Sequence, residues 1–259
     1  MTDFILSHLE QGVMTITLNR PEVFNSFNQH MGRAFQQALD AAAQNDNVRC
    51  VVITGSGRAF CAGQDLKEVT LETSPGFKVI VEETYNRSIR LICNMEKPVI
   101  AAVNGVAAGA GANIALACDF VVAKHSAKFI QAFAKIGLVP DSGGTFWLPR
   151  LVGMARAKAL TMLGAPLSSA EAESMGLIHL ASREDEFDNN VNQLSQTLAN
   201  MPTRGLGMTK KALHAGLINS LEEQLSLELE LQFQAAQTSD YAEGVAAFLE
   251  KRTPKFKGQ

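Results

Sequence analysis

Residues 98–144 read PVIAAVNGVAAGAGANIALACDFVVAKHSAKFIQAFAKIGLVPDSGG, and the architecture of the chain follows from this segment. Its apolar, β-branched run 99–103 predicts a buried strand. The turn 104–105 and the small residues 109–112 then predict a helix that ends near Cys118. A strand, a glycine turn and a helix N-terminus leave backbone N–H groups unpaired at the sheet edge, where they can stabilise negative charge.

A single carboxylate, Asp141, lies on the tight turn 140–144 at the predicted start of another helix. A charge-stabilising backbone and one acid indicate proton transfer beside a polarised carbonyl. A structural interpretation is also open, because glycine and alanine before a helix serve close packing and an acid before Ser-Gly-Gly can cap a helix.

The composition of the chain is that of a globular protein with a large core. It has 259 residues, is 46% hydrophobic and carries a net charge of −3, which suits one domain or one domain with an appendage. This balance does not favour nucleic acid or an anionic membrane as a partner. No apolar run reaches about 18 residues, and the N-terminus lacks the basic region of a secretory signal. We therefore expect a cytoplasmic protein with four reduced thiols, at Cys50, Cys61, Cys93 and Cys118.

The first 200 residues alternate strand and helix patterns, which predicts an α/β fold with helices outside the sheet. The predicted elements are a strand at 13–18, a helix capped by Ser26 or Asn28, a strand at 50–54, a glycine turn at 60–66, a helix at 74–95, a helix at 150–163 that Gly164 ends, a helix at 168–176 with a capping box at Ser168, and a helix at 187–198.

Beyond residue 200 only helices are predicted, at 204–217, 221–237 and 241–252. We therefore divide the chain into an α/β core, 1–200, and a helical oligomerisation module, 201–259. One helix face of this module is apolar and is expected to be buried, either against the rest of the chain or against a partner subunit. Its residues are Leu221, Leu225, Leu229 and Phe233.

Five motifs, in order along nearly the whole chain, resemble the crotonase (enoyl-CoA hydratase/isomerase) superfamily. They are TLNRPEVFNSFN, AFCAGQDL, PVIAAVNGVAAGAGANIALACD, SAKFIQAFAKIGLVPDSGGT and KRTPKF. The resemblance implies a crotonase-like spiral of ββα units with a C-terminal helical trimerisation module. It also implies a homotrimer or dimer of trimers, a CoA-thioester substrate, and no metal or redox cofactor.

The resemblance further implies an oxyanion hole made by the backbone N–H groups of Ala62 and Ala110. The two glutamates of the hydratases fall on Asn113 and Phe133, which cannot act as acid or base near neutral pH. Asp141 remains as the catalytic acid/base, as in epoxide isomerases of the superfamily. The implied substrate-binding residues are Gly63, Gln64, Asp65, Leu66, Gly109, Asn113, Phe129, Phe133 and Lys255.

These residues lead us to expect an acyl-CoA isomerase of fatty acid metabolism or phenylacetate catabolism. It would convert 3-enoyl- to 2-enoyl-CoA and the ring-1,2-epoxide of phenylacetyl-CoA to the oxepin. An enoyl-CoA hydratase, a hydrolytic member using Asp141, and a non-catalytic acyl-CoA-binding scaffold remain alternatives.

Burial would raise the pKa of Asp141 and a helix N-terminus would lower it. For Asp65 we favour a helix cap over catalysis.

Overall fold

The computed structural model of the chain describes residues 3–72 and 74–259, and its strands form two sheets. The larger sheet contains Ile5–Glu10 (β1), Val13–Leu18 (β2), Cys50–Gly55 (β3), Val99–Val103 (β5), Phe120–Lys124 (β7) and Leu180–Ser182 (β10). The smaller sheet contains Ala59–Cys61 (β4), Val106–Ala108 (β6), Lys128–Ile130 (β8) and Leu167–Ser168 (β9). The strand orders are β1-β2-β3-β5-β7-β10 and β4-β6-β8-β9.

The pairing of these strands confirms the predicted α/β class. Only the first pair, β1–β2, is antiparallel in the larger sheet, and only β8–β9 is antiparallel in the smaller one. Parallel strands need crossover connections, which the helices supply. Successive segments of the chain contribute to both sheets, because β3 and β5 each lead directly into a strand of the smaller sheet.

The α-helices of the core are Gln29–Gln44 (α1), Leu66–Val69 (α2), Phe77–Val79 (α3), Arg87–Asn94 (α4), Ala110–Leu116 (α5), Gly144–Leu163 (α6), Ser169–Ser174 (α7) and Phe187–Ala199 (α8). Short 3-10 helices cover Pro21–Val23 and Ala132–Ile136. The predicted capping signals are confirmed at three helix ends. Asn28 accepts from Met31 N–H before α1, Ser168 forms a capping box before α7, and Gly164 ends α6 at φ +59°.

The helix predicted over 74–95 has a different hydrogen-bonding pattern in its middle. It consists of α3, a π-helical segment Ile80–Asn86, and α4. Gln36 of α1 donates from Nε2 to the backbone oxygens of Glu83 at 2.5 Å and Thr84 at 3.1 Å. Because Gln36 supplies hydrogen bonds to these carbonyls from another helix, this turn can contain one more residue than a regular α-helical turn.

Three more helices complete the chain: Thr203–Gly216 (α9), Leu221–Ala235 (α10) and Ser239–Glu250 (α11). Lys210 anchors α9 to the core by donating to Asp119 Oδ2 at 2.9 Å and to the Ile92 oxygen at 2.7 Å. Within the described residues, none of the helices combines the length and apolar character needed to cross a membrane.

The apolar face of α10 is not covered by the chain itself, so the interpretation that it packs on its own body is wrong. Its four side chains are between 49% and 73% exposed: Leu221, Leu225, Leu229 and Phe233. The division into a core and an oligomerisation module stays a prediction.

Candidate active site

Two glycine turns meet at the edge of the smaller sheet. The first follows β4 and contains Gly63 at φ +89°. A Cβ placed on Gly63 would lie 2.9 Å from the Ala108 oxygen and 3.3 Å from the Ala110 nitrogen. Glycine is therefore required here both by its backbone angle and by the close approach of the second turn.

The first turn has one free N–H group, and it belongs to Gln64 rather than to Ala62. Ala62 N–H donates to the Phe24 oxygen at 3.0 Å, so this donor is already used and its assignment to an oxyanion hole is corrected. Phe27 forms backbone hydrogen bonds to both neighbours of Gln64, at 2.7 and 2.8 Å. As in a parallel ladder, Gln64 N–H then points to the opposite side. It has no acceptor among residues 3–72 and 74–259.

The second turn presents the N–H of Ala110, the first residue of α5. Gly109 adopts φ +53° and ties the turn to β8 through a 2.9 Å bond from its N–H to the Ile130 oxygen. In the described part of the chain Ala110 N–H also has no hydrogen-bond acceptor. A Cβ on Gly111 would lie 2.3 Å from the Cys61 oxygen, so the two turns are in direct contact. Two such free amides at helix entrances form a candidate oxyanion hole.

Asn113, one turn further along α5, supports the segment that carries Asp141. It is fully buried, its Nδ2 donates to the Asp141 backbone oxygen at 2.9 Å, and its Oδ1 accepts from Gln131 Nε2 at 2.8 Å. A Cβ on Gly144 would lie 2.3 Å from Asn113 Nδ2, so the two segments pack closely. Both polar atoms of Asn113 bind protein groups, which gives it a supporting position beneath the candidate site.

The Asp141 carboxylate is half-buried beside this helix. Ser142 Oγ donates to its Oδ1 at 2.9 Å, and Ser142 itself has φ +51°. Burial raises the pKa of Asp141 above its usual range, although the Ser142 hydrogen bond acts in the opposite direction. The N-cap of α6 is Gly143, without a side-chain hydrogen bond, so the structure does not support the interpretation of Asp141 as a helix cap.

The two predicted phenylalanines are both buried, and Phe133 lies against the second turn. Phe133 is buried, and its ring reaches within 3.8 Å of the position a Cβ would take on Gly109. Phe129 is buried in β8 and belongs to the main core. The nearby Cys61 thiol is buried, which raises its pKa to about 12, so it stays protonated and is a poor nucleophile.

The remaining predicted residues occupy different positions. Asp65 caps α2 through a 3.2 Å bond from Lys67 N–H and pairs with Arg20 at 3.0 Å, which confirms the cap interpretation. Leu66 is exposed. Lys255 is exposed in the C-terminal tail, where its backbone N–H donates to Glu243 Oε1, and its role in substrate binding stays a prediction.

Tyr85 was missed as a site residue. Its hydroxyl donates to Gln64 Oε1 at 2.8 Å from the π-helical segment. In the sequence Tyr85 is only one member of an apolar stripe, and no local pattern indicates that its hydroxyl contacts Gln64. Among the described residues, no group of three or more His, Cys, Asp or Glu side chains could hold a metal ion.

Comparison with known proteins gives consistent similarities over the whole chain. Residues 8–259 match the family described as Enoyl-CoA hydratase/isomerase. The chain is 47% identical to the 1,2-epoxyphenylacetyl-CoA isomerase of Escherichia coli (strain K12), with 100% of both covered. It is 46% identical to a probable enoyl-CoA hydratase of Rhodobacter capsulatus, covering 97% of this chain and 96% of that one. The crystal structure of an enoyl-CoA hydratase from Bacillus anthracis has a TM-score of 0.94 at 32% identity, with 99% of this chain and 100% of that chain covered.

Proposed function

Because the chain belongs to the enoyl-CoA hydratase/isomerase family, we propose that it is an acyl-CoA isomerase that moves a proton along the acyl chain of a CoA thioester. The proposed oxyanion hole consists of the Gln64 and Ala110 N–H groups, and the proposed acid/base is Asp141. No metal or redox cofactor is included in this chemistry, and CoA is part of the substrate.

One observation carries the proposal: α5 connects both parts of the chemistry. Its first residue, Ala110, offers a free N–H group. Its fourth residue, Asn113, holds the backbone oxygen of Asp141 at 2.9 Å. One helix thus carries a charge-stabilising amide and contacts the backbone of the residue that bears the carboxylate, which supports a site where proton abstraction occurs next to a bound carbonyl.

In the proposed reaction the thioester oxygen accepts hydrogen bonds from the Gln64 and Ala110 amides. The Asp141 carboxylate takes a proton from the α carbon of a 3-enoyl-CoA, and the electron pair delocalises into the carbonyl as a dienolate. Protonated Asp141 then returns the proton to the γ carbon as the double bond moves to the 2,3 position. No atom is gained or lost. The raised pKa of Asp141 favours the first step, because it makes the carboxylate a stronger base.

The residues at the positions of the two hydratase glutamates argue against hydration. Asn113 binds Gln131 and the Asp141 backbone, and Phe133 packs over Gly109, so neither supplies an acid or base for water. We propose the ring-1,2-epoxide of phenylacetyl-CoA as a substrate beside 3-enoyl-CoA, since the E. coli relative is named for that isomerisation. A flat aromatic group would suit the apolar surface of Phe133.

The exposed apolar face of α10 supports association with further copies of the chain, and we propose a homotrimer or dimer of trimers because the family resemblance implies it. Light scattering of the purified chain measures this directly. A Leu229→Glu variant should form smaller species, because it places a charge within an apolar interface. An unchanged assembly in that variant would contradict this role for α10.

The sharpest test of the proposed function is Asp141→Asn. Turnover of a 3-enoyl-CoA should fall by about 10²–10⁴, because the acid/base is lost, while binding of the CoA ester is retained. The melting temperature at neutral pH should be equal or higher. A raised folded-state pKa means that stability falls as pH rises through that pKa, and asparagine removes this cost.

Asp46→Asn is the matched control, since Asp46 lies exposed in a loop after α1. NMR in deuterium oxide should detect α- and γ-carbon exchange with the wild type and with this control. Water uptake into the product would instead favour a hydratase. Binding without exchange would favour a scaffold. Full turnover by the Asp141→Asn variant would refute the proposed mechanism.

A further inference from the structure

Tyr85 lies against the oxyanion turn without being exposed to a substrate. It is 1% exposed, and its ring packs against Phe27 with the centroids 6.0 Å apart. Its hydroxyl donates to Gln64 Oε1 at 2.8 Å. Burial and nearby acidic groups raise the pKa of Tyr85 well above its usual range, so the hydroxyl keeps its proton and remains a donor.

The side chain of Gln64 is held from both ends. Its Oε1 accepts from Tyr85, and its Nε2 donates to Glu68 Oε2 at 2.9 Å. The other oxygen of Glu68 accepts the Gln29 N–H at 2.9 Å, at the start of α1. The backbone of Gln64 already carries one of the two proposed oxyanion donors. A fixed side chain therefore restricts rotation of the same residue whose N–H must point at the thioester oxygen.

The π-helical segment determines where Tyr85 lies. Gln36 donates to the backbone oxygens of Glu83 and Thr84, and Ser88 Oγ donates to the Thr84 oxygen at 2.6 Å. These bonds occupy the backbone oxygens of the two residues just before Tyr85 and replace part of the regular helical pattern there. The extra residue in this turn changes the direction of Tyr85 relative to a regular α-helix, and such insertions are frequent at functional sites.

We propose that Tyr85 is a positioning residue that orients the Gln64 N–H for the developing enolate, and that the π-helical segment places it there. The inference rests on the proposed function, because it assigns a role to one part of the same oxyanion hole. Tyr85 acts through Gln64 and does not contact the substrate. Its loss therefore lowers the rate of enolate formation more than it weakens binding of the CoA ester.

Tyr85→Phe tests this inference, because it removes the hydroxyl and keeps the ring. We expect kcat to fall about tenfold, less than the 10²–10³ typical for complete loss of an oxyanion donor, with KM changed by no more than about twofold. Gln64→Met keeps the backbone N–H and removes both the acceptor for Tyr85 and the donor to Glu68, so its loss should be at least as large. The double variant should be no slower than Gln64→Met, because the Tyr85 interaction is already absent there.

Tyr241→Phe is the matched control, because the chain has two tyrosines and Tyr241 is 55% exposed. Unchanged kcat in Tyr85→Phe would overturn the inference, as would an additive loss in the double variant, since Tyr85 would then act independently of Gln64. The Asp141→Asn variant separates the two proposals. If it loses turnover while Tyr85→Phe does not, only the positioning role fails. If it keeps turnover, the proposed function fails.

Discussion

The two turns of the candidate oxyanion hole are built by different means. The turn at Gln64 has backbone hydrogen bonds to neighbouring residues, and it is held in addition by side chains. These are the Tyr85 hydroxyl, the Glu68 carboxylate and the ion pair of Asp65 with Arg20. The turn at Ala110 is held by its backbone and by glycines. Gly109 has a positive φ, and Gly111 lies against the Cys61 oxygen with no room for a Cβ.

This difference predicts two kinds of response to substitution. Side-chain bonds can be removed one at a time, so the turn at Gln64 should lose function in graded steps. The glycine-built turn has no such intermediate states, because a single added methyl group forces the backbone to move. The following variants test the contrast between a graded and an abrupt response.

Gly111→Ala should have the largest effect on activity. The added Cβ would lie 2.3 Å from the Cys61 oxygen and 2.8 Å from its carbonyl carbon, so the end of β4 must shift. Because a misplacement of about 1 Å can cost about 10²-fold, we expect activity to fall at least that far. The unfolding free energy should fall by about 1–3 kcal/mol, as for other overpacked cores. Steady-state kinetics and urea unfolding measure the two effects.

Gly205→Ala provides the control for this prediction. Gly205 lies within α9, and the nearest atom to its Cβ position is Pro202 Cγ at the ordinary contact distance of 3.7 Å. Alanine there should be neutral or stabilise the helix by about 0.5–1 kcal/mol. If Gly111→Ala behaved like this control, the close contact between the two turns would not be needed for function.

Asp65→Asn should give an intermediate, graded loss. The Arg20–Asp65 pair is nearly buried, with side chains 12% and 15% exposed, so removing one charge leaves the other uncompensated. We expect a loss of about 3 kcal/mol in unfolding free energy. Activity should fall about tenfold, since Gln64 is the adjacent residue and a modest misplacement suffices. Thermal unfolding and kcat should therefore change together.

Asp185→Asn is the corresponding control at the surface. Asp185 pairs with Arg183 at 2.8 Å, but both side chains are about 70% exposed. Exposed pairs contribute about 0–1 kcal/mol, so this variant should change the unfolding free energy very little and leave kcat the same. A raised KM in Asp65→Asn without any loss of stability would indicate instead that Asp65 contacts the substrate.

The elements that local rules govern could be predicted from the sequence. The caps at Asn28 and Ser168 and the left-handed end at Gly164 depend on residues within one helical turn. The exposed strand β1 was not predicted, because five of its six residues are exposed and it lacks an apolar pattern. The strands β6 and β8 have only three residues each, too few to show a period.

The candidate site could be predicted only in part, and the missing part depends on distant contacts. Ala62 and Gln64 lie two residues apart in the same turn, and local sequence gives both a backbone N–H. The choice between them depends on Phe24, whose oxygen takes up the Ala62 donor. The π-helical segment depends in the same way on Gln36, which lies 47 residues before Glu83. Neither contact leaves a pattern near the residue that it controls.

The smallest expected effect concerns the third segment of the site, where Ser142 holds the Asp141 carboxylate. The Ser142 hydroxyl donates to Oδ1 at 2.9 Å and thereby stabilises the anion, which lowers the pKa of Asp141 against the opposing effect of burial. Removing the hydroxyl should raise that pKa further. The acid limb of the rate profile should then move to higher pH, because the ionised carboxylate is the base. The rate at high pH should change little.

Two substitutions at Ser142 separate the hydroxyl from the backbone. Ser142→Ala and Ser142→Gly both remove the hydrogen bond, but only glycine adopts φ +51° without strain. Their pH profiles should therefore shift by the same amount, while the glycine variant is the more stable by about 1 kcal/mol. A shift in the glycine variant alone would indicate that backbone strain, rather than the hydroxyl, controls Asp141, because only glycine relieves that strain. This segment would then resemble the glycine-built turn at Ala110 more than the side-chain-built turn at Gln64.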